Sequence, residues 1–181
     1  RPLANLLISS SREVGTPNRV FYGFKLLSIC ALQLERDTLT ALYNLDSCLA
    51  IAEQENSESL RSITYKSYAD IYLAWKKFKE ARIYMSLLDA MPGFAEDEKL
   101  DLQSSYFWEI GNTAKAYAYD MRRLKIIEHT GTSRQLLNLL DKIGVWLIDN
   151  ARYEECLPYF HRSRELLEKE IHNSDLGAAS V

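Results

Sequence analysis

Apolar residues recur at three- and four-residue spacing along almost the whole of this chain, and no Val/Ile/Thr-rich alternating run stands out. That periodicity predicts an all-α protein, because a 3.6-residue helix gathers such positions on one face. Strong breaks fall at Gly15-Thr16-Pro17-Asn18, Glu55-Asn56-Ser57, Pro92-Gly93 and Gly131-Thr132-Ser133. Softer ones fall near Arg36-Asp37, Lys76-Lys77, Gly111-Asn112 and Asn150-Ala151. Glycine, proline and the short polar side chains end helices for known steric and hydrogen-bonding reasons. Because strong and soft breaks alternate, the eight predicted helices group into four pairs, 19–54, 58–90, 97–129 and 134–171.

The ends read differently. Residues 1–18, with Leu3, Leu6, Leu7 and Ile8, read as the remnant of a preceding helix plus a linker. The helix that follows carries Val20, Phe21, Phe24, Leu26, Leu27, Ile29, Leu32 and Leu34, apolar nearly all round, so neighbours are expected on both its sides. Residues 172–181 read as a polar tail. The chain opens at Arg1 without an initiator methionine or a signal-peptide pattern, which predicts a piece of a longer protein.

Pairing invites a search for repeats. Superposing the second helices aligns Ala41, Ala81, Ala116 and Cys156, at steps of 40, 35 and 40 residues. Four residues on come Leu45, Met85, Asp120 and Phe160. In the same frame the first helices align Ile29, Ala69, Ser104 and Gly144, followed three residues later by Leu32, Tyr72, Phe107 and Leu147. A small residue in each helix has a physical purpose, since helices packed ~8–10 Å apart need a point where one backbone approaches the other. The large side chain one turn later fills the adjacent gap.

In the last pair Leu140, Ile143, Gly144, Leu147, Tyr153, Cys156 and Phe160 take these columns; in the second, Tyr65, Tyr68, Ala69, Tyr72, Phe78 and Ala81 do, with Pro92 closing the pair. This pattern resembles the tetratricopeptide repeat over residues 19–171. Three departures stand out: Asp120 where an aromatic is usual, Ile29 where a small residue is usual, and a closing proline in only one repeat. Pro158 lies beyond the first turn of the last helix, where it removes one backbone hydrogen bond and predicts a slight bend.

The resemblance implies a right-handed superhelix, an α-solenoid of about four helix-turn-helix pairs, with the first helices lining its hollow. Ala69, Tyr72, Ala81, Ala116, Gly144, Cys156 and Phe160 are then packing residues. The inward columns hold Lys66 and Asp70 in the second repeat, Asp101, Ser105 and Trp108 in the third, and Asn138, Asp141 and Val145 in the fourth. Members of the family that grip a terminal carboxylate use asparagines where this chain has Asp70, Ser105 and Val145. A basic or aromatic-bearing peptide suits this acid-leaning surface better, with Trp108 as an anchor. The implied function is a non-enzymatic protein-interaction module that binds a protein or peptide. The alternative is the sensor or oligomerisation domain of a longer bacterial signalling or transcription-regulatory protein, and self-association remains open.

Composition narrows the picture. The chain is 47% apolar and 26% charged, values of a globular protein rather than a disordered one. No stretch reaches the ~18 apolar residues needed to cross a bilayer, so no membrane insertion is expected. The net charge of -3 is spread along the chain, which argues against direct nucleic-acid binding. Cys30, Cys48 and Cys156 are odd in number and sit in apolar helical surroundings, which points to buried thiols and a reducing compartment. The cytoplasm is expected, or the periplasm if a leader has been removed.

Candidate chemistry is sparse. His129, His161 and His172 lack metal-ligand spacing, and neither a phosphate-binding glycine loop nor a G-x-S-x-G turn is present. Glu96-Asp97-Glu98 and Glu154-Glu155 sit at helix starts, where they suit the macrodipole. Lys76, Lys77 and Lys79 read as a solvated turn. No catalytic residue, metal or cofactor is therefore expected.

Overall fold

The computed structural model describes Leu6, residues 8–10 and residues 15–178, with side chains described as far as residue 169. Among the described residues all regular structure is helical and there is no strand. From Pro17 onward the helices are α1 (Pro17–Leu34), α2 (Thr38–Gln54), α3 (Glu58–Ala74), α4 (Phe78–Asp89), α5 (Glu96–Glu109), α6 (Thr113–Thr130), α7 (Ser133–Asp149) and α8 (Tyr153–Ala178). Residues Leu6 and 8–10 are helical as well, and Ile8 is buried, whereas Leu3 and Leu7 of the expected preceding helix lie outside the described residues. The final helix continues through Pro158 as far as Ala178, past the expected boundary at 171.

Local chemistry sets the helix starts. The Asp37, Ser57 and Asn112 side chains accept hydrogen bonds from the backbone N–H groups of Thr40, Leu60 and Lys115. Thr132 and Gln135 form a reciprocal capping box at the start of α7. Glu96, Asp97 and Glu98 occupy the first turn of α5, where the free N–H groups favour negative charge.

Consecutive helices pack in pairs, α1 with α2, α3 with α4, α5 with α6 and α7 with α8. Two of these hairpins make up residues 1–95, where α2 also packs on α3, and two make up residues 96–181, where α6 packs on α7. The first unit is built around Phe21, Ala41, Leu45, Cys48, Leu60, Tyr68 and Ile71. The second is built around Leu124, Ile127, Leu139, Leu140, Ile143 and Leu147. Each fully buried Leu, Ile or Phe contributes about 1.5–3 kcal/mol.

The turns inside the hairpins share one geometry. Arg36, Lys76, Gly111 and Ala151 all adopt positive φ, between 53° and 79°. One residue later an N–H returns to the end of the preceding helix, as in a Schellman cap. Lys77 donates to Tyr72, Asn112 to Phe107 and Arg152 to Leu147, each over five residues and at 2.8 Å. In the first hairpin Asp37 donates instead to Ala31, six residues back, at 2.9 Å.

That extra residue moves α1 by one position relative to the other first helices. Ser28, not Ile29, therefore occupies the small column, with Ser28 3% and Ile29 41% exposed. The apparent departure at Ile29 disappears, because sequence alignment cannot see a turn that is one residue longer.

The remaining small columns are closely packed. Ala41, Ala69, Ala81, Ser104 and Ala116 are fully buried, and Cys156 is nearly so. At Gly144 a Cβ would stand 2.7 Å from Cζ of Phe160. The Phe160 ring thus lies directly over the glycine backbone.

Candidate functional site

On α3, Lys66 and Asp70 lie one turn apart and form an ion pair at 3.3 Å, which neutralises part of the expected acidity locally. The slip in α1 also brings Tyr22, Lys25 and Ile29 into the columns equivalent to Ile63, Lys66 and Asp70. Tyr22 and Ile29 are substantially exposed. This apolar contribution was not legible in sequence, since it depends on the length of the Asp37 turn.

In residues 96–181 the expected site residues divide. Asn138, Asp141 and Val145 follow one face of α7 and are exposed. Ser105 is half-buried on α5. Asp101 is half-buried and pairs with Arg123 of α6 at 2.6 Å, so its carboxylate is committed within the hairpin. Trp108 is half-buried and packs against the core around Leu139 and Ile143, which limits the ring surface left for a ligand. An indole at this position serves packing first.

Sequence reasoning missed a buried polar cluster in the same unit. Asp120 of α6 is 3% exposed, in the column where an aromatic was expected. Lys142 of α7 donates to Asp120 Oδ1 at 3.1 Å, stands 3.1 Å from Oδ2, and donates to Ser104 Oγ of α5 at 2.7 Å. Burial pushes the Asp120 carboxyl above the ordinary carboxylate range, while Lys142 and the Ser104 hydroxyl pull it back. The signal available in sequence was a carboxylate in a core column with a lysine 22 residues further on.

An equivalent junction exists in residues 1–95. Tyr68 of α3, 2% exposed, donates its hydroxyl proton to Asp46 of α2, again 22 residues away. Desolvation, reinforced by the Asp46 carboxylate, holds the Tyr68 phenol far above its usual range. Tyr84 stacks on Tyr68 with centroids 4.5 Å apart, and Tyr72 lies 5.7 Å from Tyr84. Parallel rings of this kind fill space rather than form a cage with orthogonal walls.

Two further features complete the candidate surfaces. Arg152, in the α7–α8 turn, makes a two-point ion pair with Glu155 at 2.7 and 2.6 Å, and its guanidinium lies 5.6 Å from the Trp146 ring. Trp146 stacks on Tyr117 at 4.0 Å. A groove of about 440 Å³ beside α1 and α2 has Val20, Phe24, Ala50 and Ile51 on its walls and Thr16, Ser47 and Gln54 at polar points. The thiol of Cys48, buried in the core with Phe21 and Leu45, is raised to about 12 by desolvation, so it is unreactive at neutral pH.

Among the described residues no group of three or more His, Cys, Asp or Glu side chains could hold a metal ion, and no helix is long and apolar enough to cross a membrane. Compared with known protein families, curated proteins and solved structures, the chain matches none.

Proposed function

We propose that the chain is a tetratricopeptide-type interaction module that binds a protein or peptide segment on the face of its first helices. The observation that carries this reading is the recurring hairpin turn, with αL residues at Arg36, Lys76, Gly111 and Ala151 and a 2.8 Å closing bond in three of the four. Together with buried small residues in both helix columns, it makes the four hairpins equivalent units, as a repeat array requires. Four such hairpins stacked in one right-handed superhelix belong to this proposal. An array has no enclosed reaction chamber, and its first-helix columns present side chains as a binding strip.

The partner that suits this strip carries apolar or aromatic side chains with positive charge. Tyr22, Ile29 and Val145 offer exposed apolar surface, and Asp70 and Asp141 are exposed acids within the same columns. Complementary charge steers association and selects partners more than it adds affinity.

A peptide array with graded basic, aromatic and acidic content tests the reading. Basic aromatic peptides are expected to bind, and Asp70→Lys/Asp141→Lys should weaken them at least about tenfold, equivalent to ~1.4 kcal/mol. Glu154→Lys, on the exposed start of α8, should leave binding unchanged. Preference for acidic peptides, or equal binding by the doubly substituted protein, would overturn it.

A further inference from the structure

Stacked repeats face a recognition problem of their own. Hairpins built from the same small and large columns have similar apolar surfaces, and apolar burial is non-directional, so bulk alone discriminates poorly between correct and displaced packings. Something must tell a second helix which first helix follows it, and in which register.

The two hairpin junctions hold comparable polar contacts. At the α2–α3 junction Asp46 accepts from Tyr68, and at the α6–α7 junction Asp120 accepts from Lys142, with 22 residues between acid and donor in both. In each case the acid comes from the second helix of one hairpin and the donor from the first helix of the next. Otherwise the two junctions are lined mainly by apolar and aromatic side chains.

The chemistry of the two pairs is not interchangeable. Asp46 is exposed and meets a neutral phenol, whereas Asp120 is buried and meets a cation that also bonds Ser104 Oγ at 2.7 Å. Docking α7 on α2 would leave Lys142 without its buried acid. Docking α3 on α6 would leave the Asp120 carboxylate buried against a phenol with no cation. A shift of either helix by one turn would break the pair at its own junction.

Stability does not explain the Asp120 pair. Well-packed apolar residues commonly match or exceed a buried ion pair in stability. The equivalent positions of the other hairpins hold Leu45, Met85 and Phe160, and burial drives this carboxyl toward its neutral form.

We infer that Asp46–Tyr68 and Asp120–Lys142–Ser104 are pairing keys: each specifies which hairpin packs on which, and in what register, the buried Asp120 pair at some expense in stability. The inference concerns the junctions alone and does not depend on what the first helices bind. Each key combines a fixed sequence separation with a distinct donor type. One buried polar contact per junction suffices, because a displaced packing strands a polar group that has left water, whereas the exposed Arg162–Glu128 pair between α8 and α6 stays hydrated.

The test separates register from stability in the full 181-residue chain. Asp120→Leu/Lys142→Met should melt at or above the wild-type temperature. After denaturation and dilution it should nevertheless return as a mixture, with two exchange populations in α7 peptides by hydrogen-exchange mass spectrometry and at least about a threefold loss of native monomer. A return to one species with the wild-type exchange pattern would overturn the inference. If that variant fails to fold, Asp120→Asn/Lys142→Gln decides, since its amides retain hydrogen bonding without charge. A mixture then supports the key, which sets a cation against a phenol, and one native species refutes it.

Discussion

Residues 1–95 and 96–181 solve the same junction in two ways. In the first unit the acid, Asp46, stays at an exposed rim and the donor, Tyr68, is inside a group of tyrosines. In the second the acid itself is inside, and a half-buried lysine reaches in to meet it. A phenol can be buried whole because it is neutral, so its acid can remain hydrated. A lysine donor keeps its charge in water when it can, and Lys142 approaches the interior only where two oxygens of Asp120 and one of Ser104 replace that hydration. The contrast shows that donor chemistry decides where the desolvation cost falls.

Removing the donors should break the symmetry most strongly. Loss of one partner of a fully buried pair costs ~3–5 kcal/mol; with the Lys142 side chain 30% exposed, about 2–3 kcal/mol is expected for Lys142→Met. Tyr68→Phe, which leaves a rim acid able to recover water, should cost only about 1 kcal/mol. Chemical denaturation of both variants measures the gap, and equal costs would erase the proposed difference between the junctions.

Acidity sharpens the same comparison. The Asp120 pKa in the folded chain lies above its value of 3.8 in model compounds, so its stabilising contribution is full below that value and is lost as pH rises through the folded pKa. Lys142 opposes that loss by favouring the ionised form. The deficit of Lys142→Met should therefore shrink as pH falls toward 3.8, as denaturation at stepped pH would measure.

Helix approach gives the next largest effect. Gly144→Leu must displace the Phe160 ring that stands 2.7 Å from the position of a Cβ, at about 1–3 kcal/mol. A thermal melt should fall by several degrees, and an unchanged melt would mean that the ring moves aside freely. The smallest effect belongs to the turns. Ala151→Gly should stabilise by roughly 0.5–1 kcal/mol, since the αL penalty for a side chain exceeds the added flexibility of glycine in the unfolded chain. Gly111→Ala should have the opposite sign, and guanidinium midpoints with unchanged slopes would measure both.

Much of this architecture was legible in sequence. Breaks at Glu55-Asn56-Ser57, Pro92-Gly93 and Gly131-Thr132-Ser133 announced themselves through residues that favour turns and caps, and the columns at Ala81, Ala116 and Gly144 through their small size. Ser28 was hidden, because the longer turn closing on Asp37 is a backbone property that no residue type encodes. Asp120 was misleading for a different reason: periodicity reports which positions are inside, and a carboxylate there is intelligible only with Lys142 and Ser104 beside it. Trp108 was only partly legible, since a large ring on an inward column can turn toward the core, as this one does.

The hairpin reversals place Arg36, Lys76 and Ala151 in a conformation usually reserved for glycine, and all three are exposed. What closes each reversal is backbone bonding, so the turn forms with arginine, lysine, glycine or alanine at this point. These positions are natural attachment points at which a dye, an affinity handle or a grafted epitope could be displayed while the helices on either side keep their contacts.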